Sequence, residues 1–104
     1  MIKVFHFRHD RADHRYSADV FMGLKKPDFN ALNYEIVADV FTDNEEEAFE
    51  FTNHIGRDWW DNPRVTIVGP KNRRSTSVGD VIKLRDGTLK ICRPTGWEVI
   101  NGES

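Results

Sequence analysis

The sequence predicts an α+β domain: a small, mostly antiparallel sheet with one main amphipathic helix packed on it and a C-terminal β-hairpin. Three observations predict it. Short runs of alternating apolar residues recur along the chain. One segment, 44–55, carries helical spacing and a run of acidic residues where a helix begins. Asp86-Gly87 stands between two apolar runs, the strongest short-range hairpin signal in the chain. At 104 residues the chain reads as a single domain, 1–104.

The elements follow in order. Ile2 to Phe7 is a first strand, and Arg8 to Arg15 a charged loop. Tyr16, Val20, Phe21 and Leu24 suit a short helix that ends near Gly23 or Pro27. Lys25 to Asn33 is a connection, with Phe29 and Leu32 tucked under. Tyr34, Ile36, Ala38 and Val40 alternate, so Tyr34 to Phe41 reads as a half-buried strand, although Ile36, Val37, Val40 and Phe41 also fit a helix. Thr42 and Asp43 are candidate N-caps for the main helix, with Thr42 and Glu45 as a capping box. Ala48, Phe51 and Ile55 form its apolar face, and Gly56 is its stop. Trp59 to Pro63 is an aromatic turn and Val65 to Val68 a short strand. Val81–Leu84 and Leu89–Cys92 form the hairpin, and Trp97–Ile100 a last strand.

Composition narrows the function. The net charge of −2 gives no general attraction to nucleic acid or membranes. The single cysteine, Cys92, excludes an intramolecular disulfide and suits a reducing compartment. The start is too soon charged for a signal peptide, and no apolar run is long enough to span a bilayer. The expected location is therefore the cytoplasm. Charge is segregated, with acidic residues dominating 31–62 and basic ones 63–93.

The stretch from Asn33-Tyr34 through Phe51-Thr52-Asn53-His54, Asn62-Pro63, Arg74-Ser75-Thr76-Ser77-Val78-Gly79-Asp80-Val81-Ile82 and Gly96-Trp97 resembles the YodL-like family of small domains. The resemblance covers about residues 30–100; the spacer Arg64–Asn72 and the N-terminal strand depart from it. It implies a compact α+β module that accompanies phage, plasmid or other mobile-element functions, acting in the host cytoplasm if phage-encoded. It carries over no catalytic residue.

The side chains themselves offer several sites. Lys71, Arg73, Arg74, Ser75 and Ser77 form a basic, hydroxyl-rich loop near Trp59 and Trp60. Trp and Arg dominate interface hot spots, so this group is the expected contact with a host protein. The same surface could place cations on phosphates and indoles on bases, the nucleic-acid alternative. Glu45, Glu46 and Glu47 are an alternative acidic contact face, although the helix dipole already accounts for them. His6, His9, Asp10, Asp13 and His14 are the densest candidate metal ligands, but no framework enforces a coordination geometry, so a small metal-dependent enzyme is disfavoured. Ser75–Ser77 with Asp80 lacks a nucleophile elbow and a nearby histidine. Cys92 reads as a buried apolar residue. The expectation is a non-catalytic interaction module with no metal and no cofactor.

Overall fold

A computed structural model describes residues 1–8, 29, 33–53, 58–71 and 73–100. The expected helix at 16–24, Leu32, Ile55 and Gly56 lie outside them, as do His9, Asp10, Asp13 and His14. The described elements are β1 (Ile2–Phe7), β2 (Tyr34–Val40), α1 (Glu45–Phe51), a 3-10 turn (Trp59–Asp61), β3 (Val65–Ile67), β4 (Val81–Lys83), β5 (Leu89–Arg93) and β6 (Gly96–Val99). The strands form one sheet in the order β3-β2-β1-β4-β5-β6, with every pairing antiparallel. No helix among the described residues is long and apolar enough to cross a membrane.

β1 holds the centre because it is apolar on both faces. Ile2 and Val4 join Ala38, Val40, Ala48, Trp59, Val65 and Ile82 in a core on the helix side. Phe7 joins Tyr34, Val81 and Ile91 in a second core on the other side, with Phe5 and Phe29 packed against it. Aromatic edges fill this second core: Phe7 meets Tyr34 at 5.3 Å and Phe5 meets Phe29 at 4.9 Å.

The strict alternation expected for β2 is broken. Val4 pairs with Ala38, but Phe5 pairs with Ile36, so Val37 is an extra residue in the ladder. Tyr34 and Ile36 therefore share a face with Phe7 and Phe5, whereas Ala38 and Val40 share the other with Val4 and Ile2. Val37 turns into the helix-side core, fully buried. The bulge explains why this stretch also fitted a helical period: its apolar residues serve both faces.

The main helix is shorter than expected and starts from a different cap. Asn44 is the N-cap, and its side-chain oxygen accepts from the Glu47 amide at 3.0 Å. Thr42 supports the turn instead, accepting from the Asn44 amide at 3.1 Å and donating to Glu47 Oε1 at 2.6 Å. The helix ends at Phe51 because Thr52 leaves it. The Thr52 hydroxyl donates back to the Ala48 carbonyl at 2.7 Å, while its own carbonyl accepts from the Thr76 amide at 2.9 Å. Ala48 is fully buried; Phe51 is only partly buried, with the Arg64 guanidinium 5.4 Å from its ring centroid.

The expected hairpin is present. Leu84 donates to the Thr88 carbonyl, Asp86 Oδ1 accepts from the Thr88 amide, and Gly87 takes a φ of 92° that a side chain would resist. β6 then folds back on β5, pairing Cys92 with Trp97 and Lys90 with Val99.

Candidate functional site

The basic, hydroxyl-rich loop folds inward around Asp80. The Asp80 side chain is fully buried, and its carboxylate accepts four short hydrogen bonds. Arg74 donates two, from Nη1 to Oδ2 at 2.6 Å and from Nη2 to Oδ1 at 2.7 Å. The Phe7 amide at the end of β1 donates to Oδ1 at 2.8 Å, and the Ser77 amide donates to Oδ2 at 2.8 Å. The fork of a guanidinium matches a carboxylate in this two-bond geometry, and the remaining lone pairs are filled by backbone donors.

The loop sequence produces this geometry directly. Ser77 to Asp80 is a tight turn, closed by the Asp80 amide on the Ser77 carbonyl at 3.1 Å. Gly79 occupies its third position at φ 97°, in the left-handed region. The Tyr34 hydroxyl donates to the Gly79 carbonyl at 3.0 Å, and Gly79 and Asp80 continue the ladder to Cys92. Segment 74–80 thereby joins β1, β2 and β5.

His6, also buried, stands next to this network. Its Nε2 is 3.0 Å from Thr76 Oγ1 and 3.9 Å from Asp80 Oδ2. Burial is the main reason its pKa falls from 6.5 to about 4; Asp80 raises it, but Arg74 and Arg73 oppose that pull. The 3.9 Å approach to Asp80 is therefore not an ion pair at neutral pH: the imidazole is neutral and Arg74 already serves the carboxylate.

A hydroxyl, an imidazole and a carboxylate thus meet, which the sequence does not signal because His6 and Thr76 are far apart along the chain. They do not form a relay. The same nitrogen, Nε2, faces both the hydroxyl and the carboxylate, whereas a triad needs opposite ring nitrogens for the two. Thr76 is fully buried. Its backbone is held as well, with the carbonyl accepting from Asn53 Nδ2 at 2.6 Å.

The remaining expected contacts divide sharply. Trp59 is 2 % exposed, and its indole N–H is shared between the Arg73 and Arg74 carbonyls at 3.3 and 3.1 Å. It is a core residue under the loop and offers no face to a partner. Trp60 is partly buried against the core, its ring edge-on to Trp59 at 5.4 Å. Arg73 donates from Nη1 to Glu35 Oε1 at 2.9 Å and from Nε to the Pro70 carbonyl at 3.0 Å. Ser75 is partly buried, and its carbonyl accepts from Arg74 Nη1. Lys71 and Ser77 remain exposed.

The acidic face is also partly committed. Glu45 pairs with Lys90 on β5, Glu47 supports the helix cap, and Glu46 is exposed. Cys92 is buried, and burial pushes its thiol up to about 11, away from thiolate chemistry. Among the described residues no group of three or more His, Cys, Asp or Glu side chains is arranged to hold a metal ion.

What sequence reasoning missed is Phe41. It follows β2 and is 68 % exposed, an unusual setting for a large aromatic side chain. Arg64 Nε donates to its carbonyl at 2.9 Å and fixes the backbone there. Phe41, Met1, Thr42, Asp43 and Arg64 line an open cleft of about 270 Å³. The expected strand ran from Tyr34 to Phe41, but β2 ends at Val40 and leaves Phe41 exposed beside the Thr42–Asn44 turn.

Searches against protein-family models, curated proteins and solved structures return no match to this chain.

Proposed function

We propose that this protein is a small non-catalytic interaction module, an accessory or counter-defence factor of a phage or mobile element that occupies a surface of a host protein in the host cytoplasm. The single observation that carries the protein-binding reading is the exposed Phe41 on its fixed backbone, beside Met1, which is 51 % exposed, and the Arg64 guanidinium. Aromatic, methionine and arginine side chains are enriched at protein interfaces. A second support is that the reactive-looking groups of the loop and of His6 are spent on one another inside the fold. The mobile-element origin rests on the YodL-like resemblance alone.

In this reading the contact centres on the Phe41 cleft, because Trp59 is buried and Arg73 and Arg74 bond Glu35 and Asp80. Lys71 remains exposed to a partner, whereas the Ser77 hydroxyl, also exposed, already accepts from Arg74 Nη1 at 3.3 Å. The nucleic-acid alternative has weaker support, since Arg73 and Arg74 already bond Glu35 and Asp80. Affinity capture from bacterial lysate, run in parallel with wild-type protein and Phe41→Ser, tests the reading. The expected result is a specific protein retained by the wild type and released by the variant. Recovery of nucleic acid alone, or of no specific protein, would overturn it.

A further inference from the structure

We propose that the outer edge of β6 is a strand-addition site for an extended segment of a partner protein, with a basic residue opposite Glu98. This rests on the interaction-module reading and names the chemistry of the partner. β6 is the last strand of the sheet. The Ile100 amide donates to the Leu89 carbonyl at 2.9 Å, which sets the alternation of the ladder. With the observed register, Ile91–Glu98 and Arg93–Gly96 are the hydrogen-bonded pairs. The N–H and C=O groups of Trp97 and Val99 therefore point away from the sheet, and no described residue pairs with that edge.

The opposite edge is shorter and partly engaged. β3 has three residues, and its outward Val65 amide already donates to the Asn62 carbonyl at 2.9 Å. Pro63 and Pro70 flank it and lack the amide that a longer pairing needs. β6 is preceded by Pro94 as β3 is by Pro63, but it is one residue longer and exposes two outward positions, Trp97 and Val99, whose amides no described residue engages.

Charge selects the occupant. A second copy pairing antiparallel through Trp97 and Val99 would place Glu98 directly opposite its own equivalent, and like charges in that position are destabilising. A partner strand with Lys or Arg there places opposite charges face to face. Glu98 is 47 % exposed, and its Oε1 accepts from Arg93 Nε at 2.9 Å while Oε2 faces no described partner. On the other face Trp97 packs beside Phe49 at 6.1 Å and Val99 is 40 % exposed, an apolar shelf for the side chains that flank the basic one.

The test is an NMR titration of the isotope-labelled protein with millimolar acetyl-Thr-Val-Lys-Val-Thr-amide and with the same peptide carrying Glu in place of Lys. The expected result is amide shifts centred on 96–99, with the Lys peptide bound roughly 2- to 5-fold more tightly. Glu98→Lys should reverse that order. Val99→Pro should weaken binding about tenfold or more while the protein still melts normally, because the lost amide lies outside the internal ladder. Methylating both valine nitrogens of the peptide removes the same bonds without altering the protein and should abolish binding. The proposal is overturned if neither peptide shifts 96–99, if the methylated peptide binds equally well, or if β6 signals move with protein concentration alone, which would make the occupant a second copy. Shifts centred on the Phe41 cleft would also overturn it while leaving the interaction-module reading standing.

Discussion

Segment 73–80 and strand β6 are opposites in sequence and in hydrogen bonding. The first is rich in charge and hydroxyls, and most of its polar groups bond Asp80, Glu35, His6 and the end of β1 at Phe7. The second carries one charged residue and an indole, and half of its backbone polar groups face outward. The comparison teaches that side-chain polarity alone does not tell which hydrogen-bonding groups are left open. What matters is whether the hydrogen-bonding groups already have partners. A loop that supplies both the carboxylate and the guanidinium satisfies itself and becomes structural.

The largest expected effect lies at the centre of that loop. Asp80→Ala leaves the Phe7 and Ser77 amides and the Arg74 guanidinium without their acceptor, and breaking a buried pair costs about 3–5 kcal/mol. Chemical denaturation should show a large drop in midpoint; a change under about 1 kcal/mol would mean that the network is dispensable.

His6 gives the next effect, as a pH dependence. Its folded pKa of about 4 lies below its unfolded value of 6.5, so between these values the unfolded chain binds more protons. This contribution to stability is fully present above about pH 6.5 and is lost as pH falls toward 4, on the order of 3 kcal/mol in all. Denaturation midpoints at pH 7 and pH 5 should differ in the wild type, and His6→Asn should flatten that difference. An equal slope in both proteins would assign the pH dependence elsewhere.

The two arginines should separate. Arg74 touches the buried carboxylate but is itself over a third exposed, so water partly replaces it, and Arg74→Ala should cost about 2 kcal/mol, below the full cost of breaking a buried pair. Arg73 meets a Glu35 that is 40 % exposed, and Arg73→Ala should cost about 0.5–1 kcal/mol. The sequence reading takes both as contacts with a host protein; their partners in the fold give each a structural cost as well. Equal losses in thermal melts would contradict the division. The smallest effect belongs to Phe41→Ser and Lys71→Ala, both within about 0.5 kcal/mol because their side chains are exposed.

Much of the fold was legible because its signals are local. Asp86-Gly87 specifies its own turn, and β1, β3 and β4 carry their apolar character within a few residues. The Val37 bulge was not legible, because an extra residue in a ladder is defined only by its partner strand. The helix cap moved from Thr42 to Asn44 because three adjacent residues can each cap, and tertiary packing selects among them. The site was read least well. Arg74 and Asp80 lie six positions apart, yet their pairing depends on the Gly79 turn and on the Phe7 amide from the other end of the chain. Long-range closure of this kind leaves no periodic trace in a sequence.

Native-state amide hydrogen exchange tests the contrast most directly, since one NMR experiment reads both regions. The account predicts that the Phe7 and Ser77 amides, bonded to buried Asp80, exchange only on large-scale opening. The Trp97 and Val99 amides should exchange at nearly unprotected rates, while the Glu98 amide between them is protected by Ile91. Fast exchange at Phe7 and Ser77 together with slow exchange at Trp97 and Val99 would contradict both halves of the account.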